Sequence, residues 1–176
     1  MKIMKTILLV ILVIIVLFLL IALFVKKDFS ISREVTINKP KEDVFNYVKL
    51  IKNQEKYSVW VMKDPNIKLL YAGVDGTVGF TSSWTSEDKN VGVGAQEIIA
   101  MGNDNIKVEI RFKKPFEATN YATTTVETVN GNQTKLVTTF TGRQKYPMNM
   151  MNLFMGKLIG NDMQTNLDNV KKNLEN

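Results

Sequence analysis

Residues Ile7 to Val25 read ILLVILVIIVLFLLIALFV, nineteen in succession without a polar side chain. As a helix this run spans roughly 28 Å, close to the ~30 Å hydrocarbon core of a bilayer. All but Ala22 are Leu, Ile, Val or Phe, so insertion is favoured by about −5 to −11 kcal/mol before end effects. A core helix of a soluble domain is striped, whereas this one is apolar all round. A cleaved signal peptide has a shorter apolar region, of about 7–15 residues, followed by small residues at the cleavage site. Here Lys26 and Lys27 follow directly, and Ser30 and Ser32 lie beyond them. The expectation is therefore an uncleaved, single-pass anchor in 1–27, with its helix at about 7–25, and one domain in 28–176. Lys2, Lys5 and the α-amine before the helix, against Lys26 and Lys27 after it, lean slightly toward an extracytoplasmic domain, and a dibasic stop leaves the other direction open.

The net charge of +6 does not indicate nucleic-acid binding. Four of the 23 basic residues flank the apolar run, which leaves 19 basic against 17 acidic residues, a net of +2, from Asp28 onward. These are interspersed, without a basic stripe, so no nucleic-acid partner is expected. The chain has no cysteine and no histidine. That excludes disulfides, thiolate zinc sites, histidine metal sites and Ser–His–Asp or Cys–His catalysis. No cofactor or metal site is expected.

Beyond the anchor, Phe29, Ile31, Arg33, Val35 and Ile37 alternate as a strand. Pro40 suits the first turn of a helix, and Val44, Tyr47 and Val48 form its apolar stripe. A short helical piece over Leu50–Tyr57 follows, with Trp60 in a loop and a turn at Asp64-Pro65-Asn66. Strands are then expected at Ile67–Tyr71, Val78–Thr85, Val91–Met101, Ile106–Phe112, Ala118–Val129 and Gln133–Gly142, the last pair joined by an Asn130-Gly131 hairpin. From Met148 to Leu174 the residues Met151, Phe154, Met155, Leu158, Ile159, Met163, Leu167 and Val170 keep helical spacing, with Asn, Lys, Gln and Asp on the other face. A single sheet with one apolar face needs a cover, and this helix is the element long enough to supply it.

Several segments, in order, resemble the START-related superfamily (SRPBCC) of polyketide cyclase/dehydrase-like and birch-pollen-allergen-like proteins. Ser32–Pro40 followed by Val44-Phe45-Asn46-Tyr47-Val48 resembles that family's first strand and helix. Tyr57-Ser58-Val59-Trp60 with Asp64-Pro65 resembles its tryptophan-containing loop, although Tyr57 and Val59 stand where relatives often have Trp and Pro. Val78-Gly79 through Trp84 with Val91-Gly92-Val93-Gly94 resembles a hairpin. Pro115–Thr119 resembles the approach to the sixth strand, and Leu153-Phe154-Met155 with Leu158-Ile159-Gly160 the closing helix. The resemblance implies an α+β helix-grip fold: a curved seven-stranded antiparallel sheet around a long C-terminal helix, two short helices after the first strand, and an apolar cavity between sheet and helix. It further implies either binding of lipids and other hydrophobic molecules, or cyclisation and dehydration.

Alternation from Phe80 and Trp84 places Gln96, Ile98, Ile110, Phe112, Ala118, Asn120, Ala122, Thr124, Leu136, Thr138 and Phe140 on the helix side. Several of these are small, which suits a hollow better than a close-packed interior. Gln96, Asn120 and the threonines would add a few polar contacts to an apolar wall. The other reading is a twisted sheet filled by methionines. The cavity candidates are Trp60, Phe80, Trp84, Gln96, Ile110, Phe112, Asn120, Thr124, Thr138, Phe140, Met151, Phe154, Met155 and Leu158. Glu97, Glu109, Glu127, Arg111 and Arg143 are expected to face solvent, and no pair of ionisable residues is driven into the cavity. Tyr71 and Tyr121 are possible acid–base groups, but the pattern does not select them. The favoured function is a membrane-anchored binder of a hydrophobic small molecule or lipid. A cyclase or dehydratase-like enzyme and a tethered interaction module with a filled core are the alternatives.

Overall fold

The computed structural model describes residues 2–176. Its first helix, α1 (Lys2–Phe24), is long and apolar enough to cross a membrane. It begins before the apolar run because Lys2, Met4 and Lys5 are themselves good helix formers. Strand β1 (Asp28–Ile37) follows, then α2 (Lys41–Val48), a 3-10 turn at Ile51–Asn53, and two one-turn helices, α3 (Gln54–Tyr57) and α4 (Val59–Lys63). Six strands come next: β2 (Lys68–Ala72), β3 (Thr81–Thr85), β4 (Val93–Met101), β5 (Asn105–Lys114), β6 (Ala118–Asn130) and β7 (Gln133–Arg143). A 3-10 turn at Met148–Met151 leads into α5 (Asn152–Leu158) and α6 (Gly160–Glu175).

The seven strands form one antiparallel sheet in the order β1-β7-β6-β5-β4-β3-β2, and α6 lies across its concave face. This is the helix-grip fold that the sequence implied. Alternation fixes the face: Phe29, Ile31 and Ile37 of β1 are buried, while Ser30, Ser32 and Glu34 are exposed. Ile37, Val126 and Leu136 pack with Val44 and Val48 of α2 and Leu167 and Val170 of α6 at one end. Phe29, Ile31 and Phe140 pack with Met155 and Met163 at the other. Each such side chain stabilises the fold by roughly 1.5–3 kcal/mol on full burial.

Three elements differ from the sequence reading. Trp60 lies in α4 rather than in a loop, because the amide of Met62 donates to the Ser58 carbonyl (3.0 Å) and that of Val59 to Asn166 Oδ1 of α6 (2.8 Å). A turn this short has no period to read. Val78 and Gly79 belong to a turn, with Gly79 at φ +89°, and β3 starts only at Thr81. The closing helix is not continuous: it breaks at Ile159. The break is caused by Arg33, the one charged residue on the inner face of β1. Its Nη2 donates to the Gly156 carbonyl (3.1 Å), and its guanidinium lies where a side chain at position 160 would stand. A side chain inserted into the helical ladder is a recognised cause of a kink. Only glycine leaves room for it.

The free edge of β1 is covered by the same device repeated. The alternate carbonyls of Ser32, Glu34 and Thr36 accept from Arg33 (2.8 Å), Gln164 (3.3 Å) and Lys171 (2.8 Å). An edge strand saturated in this way offers little to a foreign strand.

Helix α1 touches the domain near its C-terminal end. Ala22 is its one buried residue among those described, and its smallest in the apolar run. Asn149 Nδ2 donates to the carbonyls of Ala22 (2.7 Å) and Val25 (2.8 Å), and Asn152 Nδ2 to those of Lys26 and Lys27 (both 2.9 Å). The Asn149 amide thereby caps carbonyls that the end of a helix leaves without partners, and Asn152 ties down the chain just beyond it. Gly160→Val is expected to destabilise the fold by about 1–3 kcal/mol through overpacking against Arg33. Urea unfolding of the detergent-solubilised chain measures this, and the loss should shrink in the Arg33→Ala background.

Candidate functional site

A cavity of about 560 Å³ lies between the concave face of the sheet and α6, within the range of small-molecule sites. Its floor is built by alternation on the central strands. Ile110 and Phe112 of β5, Ala122 and Thr124 of β6, and Thr138 and Phe140 of β7 all point inward from adjacent strands. Thr124 and Thr138 are cross-strand partners with their Oγ1 atoms 3.0 Å apart, so their hydroxyls satisfy each other and their small volume keeps the floor low.

One wall is aromatic. Trp84 lies across Gly94, its partner on β4, and a β-carbon at 94 would collide with the indole. Phe112 meets Trp84 edge-on, with ring centroids 5.7 Å apart, and Trp84 Nε1 donates to the Val91 carbonyl (3.2 Å). The opposite wall is α6 with α3 and α4. Asn166, Asn169 and Asn173 share a face of α6 and bind α3 and α4 to it, through the amide of Val59 (2.8 Å) and the carbonyls of Tyr57 (3.0 Å) and Lys56 (3.1 Å). That arrangement places Trp60 on the cavity. The polar asparagine side of the closing helix is therefore a clamp as well as a solvated face; the 166/169/173 spacing was its signal in the sequence.

Of the fourteen residues expected at a cavity, nine line it: Trp60, Trp84, Gln96, Ile110, Phe112, Thr124, Thr138, Phe140 and Leu158. Five do not. Phe80 is fully buried behind the wall and stacks on Tyr71, with centroids 6.0 Å apart. Asn120 faces inward but beyond the floor, packed against Gly142 and the Phe29 ring. Met155 is buried among Phe29, Ile31 and Phe140. Met151 and Phe154 stand on the exposed side of their segment, 40% and 60% accessible. Alternation and helical spacing give the face of an element, and these five fail on where along it, or on which side of the short 148–158 segment, the residue sits.

The lining is mainly apolar, and its polar side chains include Gln54, Gln96, Glu55, Tyr71, Lys63 and Asp162. Gln96 Nε2 donates to Gln54 Oε1 (2.7 Å). The Tyr71 hydroxyl donates to Glu55 Oε1 (2.6 Å), and both residues line the cavity. This overturns the expectation that no ionisable pair reaches it. The pairing needs Glu55 on the single turn of α3, which carries no periodic signal. Burial, then the adjacent Glu55 carboxylate, pushes the Tyr71 phenol well above its ordinary value. Burial likewise raises the Tyr57 phenol, with Tyr47 adding to the effect. On the outer face, Arg111 is bound to Glu97 (2.9 Å) and Glu109, as solvent-facing partners.

No family model and no curated protein matches this chain. Solved structures do. Norcoclaurine synthase from Thalictrum flavum, in complex with dopamine and hydroxybenzaldehyde, is similar at a TM-score of 0.67 and 14% identity, over 88% of this chain and 91% of that one. The Zhui aromatase/cyclase from Streptomyces sp. R1128 is similar at 0.63 and 11% identity, over 84% and 94%. Ara h 8.0201 is similar at 0.60 and 14% identity, over 84% and 98%. At such identities the likeness establishes the fold.

Both raised phenols stay neutral in the folded chain at a pH where the unfolded chain ionises them. Their contribution to stability is therefore complete below about pH 10 and is lost as pH rises above it. Tyr57→Phe is expected to flatten the alkaline fall in melting temperature between about pH 9 and 11, measured by circular dichroism. An unchanged alkaline slope in that variant would contradict the assignment.

Proposed function

We propose that this chain is a single-pass, membrane-anchored protein that binds a hydrophobic small molecule or lipid between its sheet and α6. The observation that carries the reading is the cavity itself: about 560 Å³, with a mainly apolar lining that includes Trp84, Phe112, Phe140 and Ile110. Apolar walls with sparse, oriented polar contacts are the usual composition of a small-molecule site. A volume this large speaks against an interaction module with a filled core. The apolar length of α1 supports anchoring, and the balance of flanking lysines favours, slightly, an extracytoplasmic domain.

A second reading is supported by Glu55 and Tyr71. A phenol held neutral beside a carboxylate, facing an apolar chamber, is a proton donor and acceptor set of the kind that cyclisation with dehydration uses. Norcoclaurine synthase and the aromatase/cyclase, which share the fold, are named for reactions rather than for storage. On this reading Glu55→Gln and Tyr71→Phe each lower turnover by about 10²–10⁴-fold with the binding of substrate largely kept.

Lipid extraction and native mass spectrometry of the purified chain test the first reading. An apolar compound is expected to co-purify in near-stoichiometric amount. Ala122→Phe, which projects a ring from the floor into the chamber, should displace it while leaving the far-ultraviolet circular dichroism intact. Consistent absence of ligand from the wild-type chain, or full occupancy in Ala122→Phe, would count against the proposal.

A further inference from the structure

The segment joining β7 to α6 carries large apolar side chains on the surface. Met151, Phe154 and Leu158 follow one another at three- and four-residue spacing and are 40%, 60% and 56% exposed. These side chains form one apolar stripe that lacks a partner within the chain. Its position tells what covers it. Asn149 and Asn152 hold the segment to the carbonyls of Ala22, Val25, Lys26 and Lys27, at the end of α1. The Tyr146 hydroxyl reaches the Leu19 carbonyl (3.3 Å). Leu19 is five residues before the end of α1, which is about 7.5 Å farther toward the membrane interior. The segment thus lies beside the last turns of the anchor, at the depth where tyrosine is enriched in membrane proteins.

Charge supports the same placement. Lys26, Lys27, Lys145 and Lys157 are exposed around the stripe, and no acidic residue occurs between Arg143 and Gly160. Basic residues rimming an apolar face are what a helix in the headgroup region presents. The sheet agrees as well. The pairings Asp28–Arg143, Ala118–Phe112 and Lys114–Val93 put the β5–β6 turn at the anchor end of the sheet, and its Phe116 is 71% exposed.

We infer that the 146–158 segment is an interfacial foot: it lies in the leaflet next to α1, with Met151, Phe154 and Leu158 among the acyl chains, and it sets the cavity mouth on the bilayer surface. Leu158 belongs to both the stripe and the cavity lining. Lys63 and Asn90, the other exposed lining residues at this end, come from the segments that precede β2 and β4. A hydrophobic ligand passes between cavity and leaflet over Leu158 without crossing bulk water. The inference rests on the anchoring reading above, and it adds the surface that meets the lipid and the route of exchange.

The full chain lacks cysteine, so a single introduced cysteine can be labelled alone. The test attaches an environment-sensitive fluorophore to Phe154→Cys, Leu158→Cys, Ile14→Cys and Asn132→Cys, each reconstituted in phosphatidylcholine–phosphatidylglycerol vesicles. Lipids carrying a nitroxide near the headgroup or deep in the chain act as quenchers. Labels at 154 and 158 are expected to shift to the blue and to be quenched several-fold more by the shallow nitroxide than the label at 132, on the distant β6–β7 hairpin. The label at 14 should respond to the deep nitroxide. Quenching at 154 and 158 no greater than at 132, with 14 quenched, overturns the foot and leaves the anchor standing. Absence of quenching at 14 overturns the anchoring reading and the foot with it. The labelled positions are exposed or lipid-facing, so none disturbs the core.

Discussion

The contact between Arg33 and the α5–α6 junction organises the rest of the molecule. A seven-stranded sheet with one apolar face requires a cover, and a single helix has to serve both the cavity and the end of the sheet where the chain emerges from α1. A straight helix has one direction. By accepting Arg33 at the Gly156 carbonyl, and by having no side chain at Gly160, the closing helix changes course at Ile159. The part after the break follows β1 and covers the cavity, while the part before it stays beside the end of α1. The cost of placing a guanidinium on the inner face of β1 is offset because its donors meet the Ser32 and Gly156 carbonyls.

A second consequence follows from how the cavity is kept open. Interiors close-pack when side chains are large enough to meet. Here the middle of the sheet carries Ala122, Thr124 and Thr138, while the volume at either end is taken by Leu136 with Val126 and by Phe140 with Met155. The end clusters hold the helix off the sheet, and the small central residues leave the gap unfilled. The methionines do not fill it: Met163 reaches the cavity, Met155 closes its end, and Met151 faces outward. The asparagine clamp on α6 then fixes the α3–α4 wall through hydrogen bonds between its side-chain amides and the backbone of those helices.

Helix α1 and the domain are joined by amide groups as well as by chain. Carbonyls at the end of a membrane helix are costly to leave unpaired near hydrocarbon. Asn149 supplies donors to the carbonyls of Ala22 and Val25 at the helix end, and Asn152 to those of Lys26 and Lys27 just beyond it. This joint orients the domain relative to α1, and through α5 it relates the cavity mouth to the end of that helix.

The membrane-crossing length of α1, the antiparallel sheet and the cover by the last helix were legible in the sequence, because each is written as a period: unbroken apolar residues, alternation by two, or recurrence by three and four. The same periods placed Ile110, Phe112, Thr124, Thr138 and Phe140 on the inner face. What they did not contain is position along a face and pairing between distant segments. Glu55 meets Tyr71 only because a one-turn helix is held to α6 by asparagines far away in the chain, and Phe80 leaves the cavity because Gly79 turns the backbone before β3 begins. Met151 and Phe154 kept the spacing of core residues, yet in the segment before the break at Ile159 only Met155 of that stripe is buried and these two face outward. Local sequence therefore decided which elements form and which sides are apolar, since backbone geometry alone sets those periods. Only the tertiary structure decided where the helix bends, which polar groups reach the cavity and which apolar side chains remain uncovered, since those depend on contacts between residues more than a hundred positions apart, such as Arg33 and Gly156.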